Sequence, residues 1–208
     1  MPTAPSSAST GRAIACVGSR ALDTSHLALL EAIGTSLVTA GWTVHSGGAQ
    51  GADQAFARGA ARALGQNPKT PGGLVIHLPW ASYEREAADA AVRQSGGRAV
   101  LDCAPFTPDE QALALQFHPA PERLSRAGIT LMTRNVRIVC PGGLEASPVC
   151  RVIAFPSNKL GGGGTGQALR LAKHFGISLH DLRNPALHKQ YAARISALAP
   201  SKPSGPRL

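Results

Sequence analysis

Short apolar runs alternate with longer stretches of helical period along this chain. Residues 12–17 (RAIACV) read as a buried strand that ends in Gly18-Ser19-Arg20. From Leu22 to Ala40, Leu27, Leu30, Ile33, Leu37 and Val38 recur at helical spacing, with Asp23, Thr24 and Ser25 as N-cap candidates and Gly41 as a stop. Trp42 to His45 reads as a second strand, followed by a turn with Gly47, Gly48 and Gly51. Ala52 to Leu64 is an Ala-rich helix, and Gly73 to Leu78 is a third strand closed by Pro79.

The next stretch, 80–122, is less regular. Tyr83 to Gln94 reads as a helix, and Pro105 and Pro108 break the chain before another short one. Leu124 to Val139 is a helix, Val149 to Phe155 a strand, and Leu160 to Gly166 a glycine-rich loop before a helix from Gln167 to Phe175. Ile177 to Leu179 is a last strand. Strands followed by helices in close succession predict parallel βαβ units. The expected fold is α/β: a single Rossmann-like, doubly wound, mostly parallel sheet with helices on both faces. Its expected span is 12–184, after a disordered lead at 1–11 and before a basic Pro/Ser-containing tail at 185–208 that includes a short helix.

Composition changes this picture only in places. The chain has 208 residues and a formal charge of +9. That length suits one domain with tails. No apolar run is long enough to cross a membrane, and the start of the chain has no secretory pattern, so a cytoplasmic protein without membrane contact is expected. The four cysteines show no C-x-x-C and no zinc spacing, so no metal and no cofactor are expected. The charge is unevenly spread. Residues 123–208 carry 13 basic and 2 acidic residues, whereas residues 21–181 carry 14 basic and 12 acidic. The excess therefore lies mainly at the ends, with a near-neutral body between them. The basic second half and tail leave single-stranded DNA open as a partner.

In an open parallel sheet, ligands bind where the strands end. Three loops fall there: Gly18-Ser19-Arg20, Ser46 to Asp53 with Gly47, Gly48 and Gly51, and Gly162-Gly163-Gly164-Thr165-Gly166. Glycine lets a backbone approach an anion, and a helix N-terminus offers unpaired N–H groups. These loops are the candidate phosphate site. Arg20 and Arg134 are candidates for bidentate phosphate contacts, with Ser46 and Thr165 as hydroxyl donors. For both hydroxyls the competing role is a local backbone bond in a turn. Asp53 is a catalytic candidate or, equally, a helix N-cap. Trp80 and Tyr83 are base-stacking candidates or half-buried packing residues. His118 is a weaker acid–base candidate, and His77 reads as a core residue.

Val17-Gly18-Ser19-Arg20 followed by Ser46-Gly47-Gly48-Ala49-Gln50-Gly51-Ala52-Asp53 resembles the DprA/Smf DNA-processing family, with its V-G-S-R and S-G-x-A-x-G-x-D. The His usual four residues after that Asp is Ala57 here. Gly162 to Gly166 resembles the phosphate loop of the LONELY GUY (LOG) and lysine-decarboxylase-like proteins, P-G-G-x-G-T-x-E-E. Leu160 replaces its Pro, and Gln167 and Ala168 replace its Glu pair. Met132-Thr133-Arg134-Asn135 resembles that family's M-x-x-R-K, with the Met displaced by one residue. Both families belong to the SLOG superfamily of Rossmann-like nucleotide binders. The chain further resembles phage or bacterial DprA-like SLOG proteins through Leu78-Pro79-Trp80, His118-Pro119, Arg134-Asn135 and Gly163 to Arg170.

The resemblance implies a nucleotide or other phosphorylated ligand at the glycine loops. Hydrolysis of an N-glycosidic bond is left open, with Arg134 and Asp53 as its residues, because Gln167 cannot carry the charge of a glutamate. The alternative it implies is a DprA-like mediator of recombination that binds single-stranded DNA. A homodimer is implied in either case.

Overall fold

Alternation along the first strand decides the layout. In β1 (Ala13–Gly18), Ile14 and Cys16 enter one apolar cluster, and Ala15 and Val17 another. A strand apolar on both faces needs cover on both, which is the condition of a buried parallel sheet. The computed structural model describes residues 12–157 and 163–198. In it, β1 is joined by β2 (Thr43–Ser46), β3 (Gly73–His77), β4 (Ala99–Asp102), β5 (Arg151–Phe155) and β6 (Ser178–Asp181). The strand order is β4-β3-β2-β1-β5-β6, and every pairing is parallel. The expected doubly wound fold is observed, with a sheet that is parallel throughout.

One face carries α1 (Thr24–Thr39), α2 (Ala52–Gln66), α3 (Arg85–Gln94) and α7 (Pro185–Leu198) around Ile14, Leu30, Phe56 and Ile76. The other carries α4 (Pro108–Gln116), α5 (Arg126–Val139) and α6 (Gly163–His174) around Val17, Val136, Ile138 and Leu171. Helices α1 and α2 meet through glycine. A Cβ on Gly34 would fall 2.2 Å from the Phe56 carbonyl oxygen, and one on Gly59 would fall 1.8 Å from that of Glu31. Local capping explains several boundaries. Asp23 accepts from the His26 N–H at 2.9 Å, and Ser125 from the Gly128 N–H at 3.1 Å. Thr107 and Glu110 form a reciprocal capping box at the start of α4.

Four elements differ from expectation. Strand β4 was not anticipated. It is short, follows Gly96-Gly97, and lies at the sheet edge with Val100 exposed, so its pattern is weak. Helix α3 starts at Arg85 rather than Tyr83, because Glu84 is left-handed with φ 45°. Helix α6 starts at Gly163, so Gly164, Thr165 and Gly166 belong to its first turn rather than to a loop. The short helix expected after residue 184 has 14 residues, and its Tyr191 and Ile195 pack against the main cluster. The lead at 1–11, Gly162 with the preceding part of the glycine stretch, and residues 199–208 of the tail lie outside the described residues. No helix among the described residues is long and apolar enough to cross a membrane.

Candidate functional site

The chain leaves β1 toward β4 on one side and returns to the other side of β1 with β5. The carboxyl ends of β1 and β5 thus flank the switch point, where open α/β sheets bind ligands. A cleft of about 400 Å³ opens there. Gly18, Ser19 and Arg20 from the end of β1 line it, with Gly163 to Gly166 from the start of α6 and Arg134 and Asn135 from α5. Asp53, Ser157 and Arg183 complete its polar wall. Convergence of the first and third glycine loops is therefore real, and the helix N-terminus there suits an anion.

The middle loop builds the cleft more than it faces it. Asp53 is buried, and its Oδ1 accepts the Gly18 N–H at 3.1 Å. Gly51, not Asp53, is the N-cap of α2, so the carboxylate ties two loops together instead of capping its own helix. Gly51 has φ 87°, and a Cβ there would fall 2.5 Å from the Ser19 carbonyl oxygen. Only glycine permits both that conformation and that approach. Gly48 also has a positive φ, and neither it, Gly47 nor Gly51 lines the cleft. Ser46 is fully buried and donates to the Cys16 carbonyl at 2.8 Å, so its hydroxyl is occupied away from the cleft.

Arg134 is the main buried cation. It lines the cleft, donates through Nη1 to the Gly47 carbonyl, and lies 3.9 Å from Asp53 Oδ2. Its buried Nε has no hydrogen-bond partner among the described residues. Burial pushes the Asp53 carboxyl up from its ordinary range, while Arg134 and the N–H groups of Gly18, Ala49 and Gly47 pull it back down. Burial likewise lowers the Arg134 pKa, and Asp53 opposes that shift. Arg20 is exposed, with Nη2 donating to the Tyr83 hydroxyl at 3.4 Å. The Tyr83 ring also faces the Arg134 guanidinium at 5.8 Å. Trp80 lies edge-on to Tyr83 at 5.3 Å and is 38% exposed, outside the cleft lining.

On the α6 side, Thr165 donates to the Gly18 carbonyl at 2.8 Å and so clamps the helix start to β1. Asn135 Nδ2 donates to Gly164 O at 3.2 Å and to Gln167 Oε1 at 2.9 Å, and Gln167 Nε2 donates to Ala114 O at 2.7 Å. Gln167 is fully buried and Ala168 nearly so. Of the positions of the absent Glu pair, Gln167 therefore faces the packing between α4, α5 and α6, and Ala168 packs against Val17, Val152 and Ala154 of the sheet. His118 stands apart from the cleft, where its Nδ1 accepts the Ala120 N–H at 3.2 Å.

Two features were missed. Arg183 lines the cleft and pairs with Asp181 at 2.5 Å. It follows β6, so the strand-end rule applied to the last strand would have found it. A buried chain also runs under α5, from His45 Nδ1 to His77 Nε2 at 3.0 Å and from His77 Nδ1 to Asp102 Oδ2 at 2.7 Å. Burial first, and His77 second, hold the His45 imidazole neutral, with its pKa lowered to about 3.

The family model of DNA recombination-mediator protein A matches residues 4–78. That stretch contains β1 to β3 and both of the first two loops. Among solved structures, DNA processing protein A from Helicobacter pylori, reported for its single-stranded DNA binding mode, is similar at a TM-score of 0.47 and 15% identity. The match covers 89% of this chain and 79% of that one. DNA processing protein A (DprA) from Streptococcus pneumoniae gives a TM-score of 0.36 and 19% identity, over 81% of this chain and 57% of that one. No curated protein matches. The chain is thus similar to DNA recombination-mediator protein A through the segment that supplies the first two loops of the site.

Proposed function

We propose that this chain binds single-stranded DNA at the switch-point cleft, as a DprA-like protein. The observation that carries the reading is the family match at residues 4–78, which spans the loop that lines the cleft and the loop that holds it in shape. The chemistry is compatible. Exposed Arg20 offers a bidentate phosphate contact, and the first turn of α6 offers backbone N–H groups. The volume of about 400 Å³ suits one nucleotide at a time, so a longer strand would engage the cleft through a single phosphate and run outward past Tyr83 and Trp80.

Cleavage of a nucleotide has less support. Gln167 and Ala168 are buried in packing, and Asp53, the single carboxylate among the described cleft residues, is held by backbone N–H groups and faced by Arg134. A general acid or base needs a carboxyl free to reach the reacting bond. The test is fluorescence anisotropy with a labelled oligothymidylate at about 50 mM salt, beside a base-release assay on nucleoside monophosphates. Binding that Arg20→Ala weakens about tenfold, without base release, is the expected result. Release of free base, or no oligonucleotide binding, would overturn the reading.

A further inference from the structure

A second cationic cavity lies at the opposite end of the central strands. It measures about 280 Å³ and lies where β1, β2 and β5 begin. Arg12, Arg151 and Arg194 all line it, from the entry to β1, the first residue of β5, and α7. Trp42 and Tyr191 also line it, with Ile195 as part of the apolar wall. The strand length, at about 3.3 Å per residue, puts it roughly 17 Å from the Gly18 end of β1.

Among the described residues, no counter-charge neutralises this group. No acidic residue lines the cavity among the described residues, and none of the three arginines takes part in an ion pair there. The Arg151 Nε is buried and has no hydrogen-bond partner among the described residues. Arg12 is oriented by the Trp42 ring, with its guanidinium 5.6 Å from the centroid. Tyr191 lines the same cavity, with its hydroxyl 2.8 Å from His180 Nδ1. Among the described residues, the cations thus lie beside aromatic side chains rather than counter-charges.

We propose that Arg12, Arg151 and Arg194, brought together beside Trp42 without a carboxylate, form a second anion site that takes a phosphate group. Phosphate is favoured over carboxylate by donor count. One guanidinium fork satisfies a carboxylate, whereas three guanidinium groups from different directions match a tetrahedral dianion with several oxygens. Trp42 and Ile195 give the carbon-bearing side of a phosphate ester a surface to rest on. The phosphate belongs either to a small monoester or to the 5′ end of a DNA strand. The site is independent of the switch-point cleft.

The test is isothermal titration of the full chain with inorganic phosphate, ribose 5-phosphate, and short oligothymidylates with and without a 5′-phosphate. The same series is run on Arg194→Ala, Arg12→Ala and Arg20→Ala. Arg194 and Arg12 are exposed, so their loss leaves the core intact. The expected result is phosphate binding that Arg194→Ala and Arg12→Ala each weaken about tenfold and that survives in Arg20→Ala. Preference for the 5′-phosphorylated oligonucleotide over ribose 5-phosphate identifies a strand end, and the reverse identifies a small ester. Equal phosphate affinity in wild type, Arg194→Ala and Arg12→Ala overturns the proposal. So does binding of an acidic hexapeptide, but not phosphate, that depends on Arg194. Loss of oligonucleotide binding at Arg20 bears on the cleft alone.

Discussion

Asp53, Gln167 and Ser46 show how far a residue's type determines its work. Each carries a group suited to a ligand, and each spends it inside the protein. Gln167 donates to one buried carbonyl and accepts from one buried amide. A glutamate there would set a carboxylate against the Ala114 carbonyl and leave a buried charge without a cation. Gln167→Glu is therefore expected to cost about 3 kcal/mol in urea unfolding and to yield no base release. A stable variant that released base would contradict the assignment. Ser46→Ala should cost about 1 kcal/mol, because the Cys16 carbonyl loses a donor, and should leave oligonucleotide affinity unchanged. Gly51→Ala should be worse than either. It places a Cβ in a left-handed conformation and 2.5 Å from a carbonyl oxygen, and a fall in melting temperature of several degrees is the readout. The motif spacing singled out Asp53, Ser46 and Gly51. Periodicity alone could not tell which of them face the cleft, because orientation depends on partners such as Cys16 and Ala114, distant in sequence.

Among the elements, those with strong local signals were legible. Strand β1, helix α1 with Asp23 and Gly41, and the strand–glycine–helix sequence from β2 to α2 lie within a few residues of expectation. Strand β4 was not legible, since four residues at an edge carry little alternation. The start of α6 at Gly163 was hidden for a different reason. Glycine is a poor helix former, and the Thr165 and Asn135 bonds that hold this turn come from tertiary context. The sheet also hides its histidines. His45 and His77 share one face of β2 and β3 under α5 and bond in series to Asp102. The unfolded chain protonates His45 near its ordinary pKa of 6.5, and the folded chain does not until about 3. Below pH 6.5 the unfolded state therefore binds more protons, and stability falls with pH. His45 alone should remove about 2 kcal/mol between pH 7 and pH 5. Urea midpoints at the two pH values check this, with His45→Gln expected to flatten the slope. An unchanged slope in that variant would move the effect elsewhere.

On the scale of the whole molecule, the net charge of +9 is a poor guide to where an anion binds. The body is close to neutral, and among the described residues several of its cations are paired, as Arg58 and Arg62 are with Glu31 and Arg137 with Glu110. The cations of the two proposed sites are few and set by topology. Arg20 stands at the switch point, and Arg12, Arg151 and Arg194 gather at the opposite ends of the central strands. A binding mode built on so few contacts has a shallow salt dependence. Each phosphate neutralised on a single strand contributes a slope of about 0.7 in log K against log salt. The most direct measurement is that slope for an oligothymidylate, in wild type and in Arg20→Ala, between about 50 and 200 mM salt. A shallow wild-type slope that drops by about 0.7 in the variant, with weaker binding throughout, is the predicted result. Binding with the same affinity and slope in both proteins would contradict the placement of DNA in the switch-point cleft.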